Sequence, residues 1–455
     1  MTDLPTSRVS RGAGLGQVAA RSIGRHARTR VATLGRDPDE VARRMQRDAL
    51  TTADELVDVL GSMKGAAMKV GQMLSLLDLD LIPPESRDQF SRKLAVLRDT
   101  APAVDDTIML DRLRTSLGAR MSAFAHIDTP AVAAASIGQV YRAVLRDGRQ
   151  VAVKVKYPEI DTIIESDLRN LSTVLRISRR LLPHTDMDSI IGEVTGHLRE
   201  ELDYIHEARM QHQVAQRYRG HPFILVPDVV EQLCTRDVLV TEYVNGVGFN
   251  EIVTLDADTR NQVGETIYRF YCGGAYLDGG FCGDPHPGNV RLADDGRVAF
   301  LDFGLYKTMP ARSTELERSV LRCARAGDGD ALRKVLNEAG ILVSGDDLSS
   351  AEILAYIRDA AWWHIDDAVL TITPEVANST FVAAVHPSSR HFGDARRQSL
   401  PEDHVFARRA EFHTCAMLGQ LQATHNWFRI EAEWLDNAIA GTELGEFDQH
   451  WRSGR

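Results

Sequence analysis

The feature that most limits what this chain can fold into is the segment from Gly283 to Gly304. It reads Gly283-Asp284-Pro285-His286-Pro287-Gly288-Asn289-Val290, then Asp294-Asp295-Gly296, then Val298-Ala299-Phe300-Leu301-Asp302-Phe303-Gly304. Asp-Asp-Gly between two short apolar runs is a hairpin signal. A hairpin sets the loop before its first strand beside the end of its second, so Asn289 and Asp302 can converge on one point while Asp284 begins the same loop. Carboxylate and amide oxygens are hard donors. Magnesium keeps several waters and takes few protein ligands where phosphates supply the rest. The segment therefore demands a sheet that presents a loop and a strand end together.

The remaining sequence is able to build such a frame. With 455 residues and 44% apolar composition, the chain has core enough for two to three domains, which excludes global disorder. No run of about 20 predominantly apolar residues occurs; the longest uncharged stretch, Phe412 to Phe428, is broken by His413, Gln420, Gln422, His425 and Asn426. Cys234, Cys272, Cys282, Cys323 and Cys415 form no C-x-x-C pair, which argues against a disulfide scaffold or zinc knuckle and fits a reducing compartment. The formal charge of −11 conceals an asymmetry, because residues 1–50 carry ten Arg and five acidic side chains and no acid occurs from Leu4 to Arg36. That stretch reads as a mobile basic arm or as a surface for anionic lipid or an acidic partner. It has no apolar core or cleavage site of a secretory signal, and Gly12, Gly14 and Gly16 follow no strand, which discounts a dinucleotide fingerprint.

Apolar residues from Leu56 to Leu77 recur at helical spacing and predict a long amphipathic helix ending before Pro83-Pro84, with Lys69 and Gln72 on one side of it. Alternation from Val132 to Tyr157 around Asp147-Gly148 predicts a hairpin whose first strand opens on small residues, Ala133-Ala134-Ala135-Ser136-Ile137-Gly138, and whose second carries Lys154. Helices are expected from Ile160 to Leu182 and from Met187 to Gln216, the latter containing Glu201 and Asp203. Strands are expected at Phe223–Val229 and Asp237–Tyr243, with a break at Asn245-Gly246. Beyond Ser313 the chain reads as helical, Trp362, Trp363, Phe412, Trp427, Phe428 and Trp434 reading as core aromatics and residues 385–403 as a loop.

An Asp, an Asn five residues later and D-F-G on the next strand are the parts with which protein-kinase-like enzymes hold a nucleophile and magnesium against a triphosphate. On this reading Asn289 and Asp302 are the metal ligands, Asp284 faces the transferred phosphoryl, and Lys154 reaches the α- and β-phosphates, held by Glu201. Glu242 and Val244, in the connector before Asn245-Gly246, present backbone to adenine, and Ala133, Ala134, Ala135, Ser136 and Gly138 cover the phosphates. In this order the motifs resemble the UbiB family of atypical kinase-like proteins: Lys69-Val70-Gly71-Gln72, the alanine-rich loop at 133–139, Val151-Ala152-Val153-Lys154, Glu201-Leu202-Asp203-Tyr204, Asp284 to Asn289, and Asp302-Phe303-Gly304.

The resemblance implies that the K-x-G-Q helix folds over the active site and occludes a protein substrate, with Lys69, Gln72, Glu201 and Asp203 close to it. It implies altered nucleotide handling too, since Ala methyls restrict a loop that glycine would leave free. Two departures weigh against a protein-directed kinase: His286 stands where serine/threonine kinases usually carry a Lys, and no A-P-E follows D-F-G.

The expected architecture is an α+β, two-lobed protein-kinase-like fold. Its parts are a basic arm (1–36), a helical K-x-G-Q extension (37–125), an N-lobe (126–245), a C-lobe core (246–345) and a helical C-terminal part (346–455). The expected function is an ATP- and Mg2+-dependent phosphotransferase or ATPase acting on a small or lipid-associated substrate. The resemblance links it to isoprenoid quinone or lipid metabolism. The alternatives are a non-catalytic, ATP-switched module that presents lipid or biosynthetic enzymes, and a small-molecule kinase, against which the K-x-G-Q and E-x-D segments argue. The partners expected are ATP and an anionic or isoprenoid lipid at a membrane surface, with no nucleic acid, and the location is cytoplasmic with peripheral attachment.

Overall fold

A computed structural model describes residues 104–166, 168–169, 196, 199, 202–342, 348–385 and 402–454. The basic arm, Lys69, Gln72, Glu201 and most of the 385–403 loop lie outside the described residues. Two compact units are present: residues up to Ile205 with Gln232–Val240, and His206–Glu231 with Thr241 onward.

In the first unit, helix α1 (Asp106–Leu117) starts where the Asp105 carboxylate accepts the Thr107 N–H at 2.8 Å, satisfying one of the donors a helix start leaves open. Met109, Leu113 and Leu117, four apart, are its buried stripe. Strands β1 (Phe124–Ile127), β2 (Ala133–Ala134), β3 (Gly138–Leu145) and β4 (Gln150–Lys156) follow, and later β6 (Val238–Glu242); between β4 and β6 the chain passes through α2 (Tyr204–Arg217) and β5 (Ile224–Leu225), of which all but the first two residues of α2 belong to the second unit. The sheet runs β1-β3-β4-β6, with β2 paired on β3. The expected hairpin is β3–β4, in register from Gly138↔Lys156 to Val144↔Gln150. Its alternation buries Tyr141, Ala143 and Leu145 with Val151, Val153 and Val155. Gln139 anchors the residues before α1. Its Oε1 accepts the Val104 N–H at 2.9 Å and its Nε2 donates to the Tyr141 hydroxyl, which in turn donates to Asp106.

In the second unit the chain continues through β7 (Gly246–Gly248), α3 (Phe249–Ile252), α4 (Ala257–Tyr268), α5 (Gly274–Leu277), β8 (Gly280–Cys282), β9 (Val290–Ala293), β10 (Val298–Phe300) and β11 (Tyr306–Thr308). One sheet runs β5-β10-β9-β7 and a second pairs β11 with β8. The predicted hairpin around Asp294–Gly296 is β9–β10, with Val298↔Leu292 and Phe300↔Val290 opposed. Gly246 has φ +140°, and a Cβ there would lie 2.1 Å from the Leu292 carbonyl oxygen, so the break at Asn245-Gly246 is a close backbone approach that only glycine permits.

Helices α6 (Ala311–Ala326), α7 (Gly329–Glu338), α8 (Ser350–Ile365), α9 (Pro374–Val385), α10 (Glu402–Leu421), α11 (Trp427–Leu435) and α12 (Glu443–Ser453) complete the unit. Tyr268 meets Trp363, Trp427 and Trp434 at ring distances of 5.3, 5.3 and 5.5 Å, and all four rings are buried, whereas Trp362, Phe412 and Phe428, also expected in the core, are half-buried. Among the described residues no helix is long and apolar enough to cross a membrane.

Candidate active site

Lys154 lies on β4 opposite Val140 and is half-buried, with its Nζ 5.0 Å from the centroid of the Tyr204 ring. Two residues on, Lys156 is fully buried. Its Nζ donates to Asp161 at 2.9 Å and to the Leu202 carbonyl at 2.8 Å, and lies 3.2 Å from Asp237. Neighbouring lysines on one face are thus divided between a structural role and an accessible one. Asp203 precedes α2 and its Oδ1 accepts the Ile205 N–H at 3.0 Å.

The alanine-rich loop is the short strand β2 followed by a turn in which the Ala135 N–H donates to the Gly138 carbonyl at 2.8 Å. Ala133 and Ala134 are exposed, and Ala135 and Ser136 half-buried. At Gly138 a Cβ would lie 2.2 Å from the Val155 carbonyl oxygen, so this glycine serves the strand pairing. In the connector, the Glu242 N–H donates to the Asp228 carbonyl and its carboxylate accepts the Asp228 N–H at 3.0 Å; Val244 packs with Ala293 and Ala299.

The second unit gathers the acidic residues. Asp284 lies two residues past β8 and Asp302 two residues past β10, and the Leu301 N–H donates to the Asn289 carbonyl at 3.0 Å, which sets Asn289 beside the residue preceding Asp302. Asp302 Oδ1 accepts the Gly304 N–H at 3.0 Å. The thiol of Cys282 reports the cluster: burial pushes it well up, and the carboxylates of Asp302, Asp284 and Glu207 push it further. A Cβ on Gly304 would lie 3.5 Å from Asp302 Oδ1 and 3.8 Å from Glu207 Oε2. The sequence reading missed Glu207, which is 97% buried on α2; the available signal was its place three residues after Tyr204, on the same helix face. It also missed Arg409 on α10, whose Nη2 donates to Asp284 Oδ1 at 3.1 Å, and His413, which bonds the Pro285 carbonyl.

The donors suit magnesium with a polyphosphate. Asp302 and Asn289 offer hard oxygens from adjoining backbone positions, and among the described residues no group of three or more His, Cys, Asp or Glu makes an all-protein metal site. Asp284, two residues past β8, has 18% of its side chain exposed.

Comparison with known proteins agrees with this arrangement. The family described as ABC1 atypical kinase-like domain matches residues 96–336. The mitochondrial atypical kinase COQ8B of Rattus norvegicus is 32% identical over 331 residues, which is 72% of this chain and 62% of the relative. The Danio rerio protein of the same name is 31% identical over 330 residues, 71% of this chain and 52% of its own length. AarF domain-containing protein kinase 1 of Xenopus laevis is 31% identical over 57% of this chain and 51% of its own. The alignments therefore span about half to three-fifths of these relatives. Among solved structures, Rv3197 of Mycobacterium tuberculosis in complex with erythromycin superposes with a TM-score of 0.63 at 28% identity, covering 88% of this chain and 98% of that one. The loop-and-hairpin acidic cluster, the lysine-bearing strand behind an alanine-rich loop and these matches agree: the chain belongs to the UbiB family of atypical kinases and has the kinase-like α+β fold.

Proposed function

We propose that the protein binds Mg-ATP and either hydrolyses it or transfers its γ-phosphoryl group to a small or lipid-associated acceptor, in support of isoprenoid quinone or lipid metabolism. The observation that carries this reading is the pairing of Asn289 with the residue before Asp302, beside a point at Gly304 that lies 3.5 Å from Asp302 Oδ1 and 3.8 Å from Glu207 Oε2. Magnesium, when bound with ATP, supplies charge neutralisation at the β- and γ-phosphates. Asn289 and Asp302 would hold it, and Lys154 would meet the α- and β-phosphates. Asp284 orients the attacking oxygen and takes its proton as the bond from the γ-phosphorus to the β-bridging oxygen breaks. A non-catalytic presenting module would have no use for a carboxylate at position 284.

Lys69, Gln72 and Asp203 are proposed to restrict the acceptor, which favours water or a small head group over a protein side chain. The basic arm is proposed to hold the protein on an anionic surface. Calorimetric titration with Mg-ATP tests the nucleotide part: Asp302→Asn should abolish the magnesium dependence of binding, and an unchanged dependence would remove Asp302 from the metal site.

A further inference from the structure

The loop position where serine/threonine kinases carry a lysine is His286 here, and its ring is committed locally. His286 Nδ1 accepts the Gly288 N–H at 3.0 Å and caps the turn Pro287–Asn289. The loop from Gly283 to Asn289 therefore contains no Lys or Arg to set against Asp284. A cation arrives from far along the chain. Arg409 on α10 donates from Nη2 to Asp284 Oδ1 at 3.1 Å, and only 9% of its side chain is exposed. One turn later His413 Nδ1 lies 3.1 Å from the Pro285 carbonyl oxygen. A carbonyl only accepts, so the ring carries its proton on Nδ1; burial, opposed by Asp284, holds its pKa below the ordinary value. Two side chains four apart on one helix face thus grip two consecutive residues of the loop.

Buried arginines of this unit differ in how fully they are bonded. Arg269 is fully engaged, with Glu433 at 2.7 and 2.9 Å, Glu265 at 2.8 Å and Thr442 at 3.1 Å. Among the described residues Arg409 makes one side-chain bond, to Asp284, and its buried Nε has no partner.

We propose that Arg409 is the positioning residue of Asp284: its Nη2–Oδ1 bond fixes the carboxylate's orientation and supplies, from outside the matched 96–336 stretch, the positive charge that the loop lacks at His286. This rests on the reading of Asp284 as the residue that orients the nucleophile.

The test is steady-state phosphate release from Mg-ATP by the full chain, with Mg-ATP affinity and melting measured in parallel. The variants are Arg409→Lys, Arg409→Met, Asp284→Asn and the double variant Arg409→Met/Asp284→Asn. Methionine keeps the length of the stem and protects the fold. Arg409→Met should lose roughly 10- to 100-fold in kcat, part of what a positioned base supplies, while Mg-ATP affinity moves less than about threefold. Arg409→Lys should recover part of the loss, because it returns the charge without the planar fork. The double variant should be no slower than Asp284→Asn alone, since the arginine acts through the carboxylate. A folded Arg409→Met with wild-type kcat, or a double variant whose losses multiply, overturns the inference. If Asp284→Asn itself turns over like wild type, the phosphotransfer reading fails and this inference fails with it. Loss in Asp284→Asn without loss in Arg409→Met overturns this inference alone. If Arg409→Met does not fold, Arg409→Lys decides: wild-type kcat beside an impaired Asp284→Asn overturns the inference.

Discussion

Lys154 and Lys156 meet the same aromatic ring: their Nζ atoms lie 5.0 and 5.9 Å from the centroid of Tyr204. Strand periodicity puts both on one face of β4, yet Lys156 is enclosed by Asp161, Asp237 and the Leu202 carbonyl, whereas Lys154 remains half-buried. Their substitutions should separate cleanly. Lys154→Met is expected to weaken Mg-ATP binding at least about tenfold, the loss of one charged contact, with a minor change in melting. Lys156→Met is expected to cost stability, about 1–3 kcal/mol once the partial exposure of its two aspartates is discounted. Denaturant titration beside nucleotide titration distinguishes them, and the reverse pattern would exchange their roles.

Gly138 and Ala135 separate packing from nucleotide handling within one loop. Gly138→Ala sets a methyl 2.2 Å from the Val155 carbonyl and should lower stability by about 1–3 kcal/mol, read as a shifted urea midpoint at constant slope. Ala135→Gly frees a half-buried turn and should change ATP or ADP affinity with little effect on the midpoint. Unchanged constants for both nucleotides would make the alanine loop a packing element only.

His364 couples stability to pH. Its ring nitrogens lie 2.7 Å from Glu431 and 3.1 Å from Glu411, while Arg325 pairs with Glu431 and Arg408 with Glu411 and Glu317. Burial alone would lower the pKa, but the two carboxylates outweigh it and raise it to about 9. The folded pKa exceeds the ordinary value, so the contribution is fully present below pH about 6.5 and is lost as pH rises through about 9. Wild-type unfolding free energy should fall by up to about 3 kcal/mol relative to His364→Gln over that interval. Parallel curves for the two proteins would show that the imidazole is not charged in the fold.

The basic arm gives an ionic-strength prediction. Vesicles containing anionic phospholipid should retain the protein at low salt and release it as salt rises, and deletion of residues 1–36 should abolish retention. Retention of the truncated chain would assign membrane binding to another surface.

The local placement of the proposed site residues was legible where they are near in sequence. Asp284, Asn289 and Asp302 fall in one loop and one hairpin, so their spacing encodes their geometry, and Lys154 is marked by the alternation of β4. Arg409 and His413 were not legible, because they reach the loop from 125 and 128 residues away. Glu207 was obscured by the acidic residues just before it: a carboxylate's burial depends on tertiary packing, which periodicity alone does not reveal. Lys156 shows the same limit, since nothing in its spacing from Lys154 says which lysine is enclosed.

The most direct test of the central claim is phosphate release from Mg-ATP by wild type and by Asp284→Asn, each with and without anionic vesicles. The enzymatic account predicts a wild-type rate exceeding that of the variant by about 10²-fold or more, with nucleotide affinity preserved in both. Equal, near-zero rates in the two proteins under every condition would contradict it and leave a nucleotide-switched binding module.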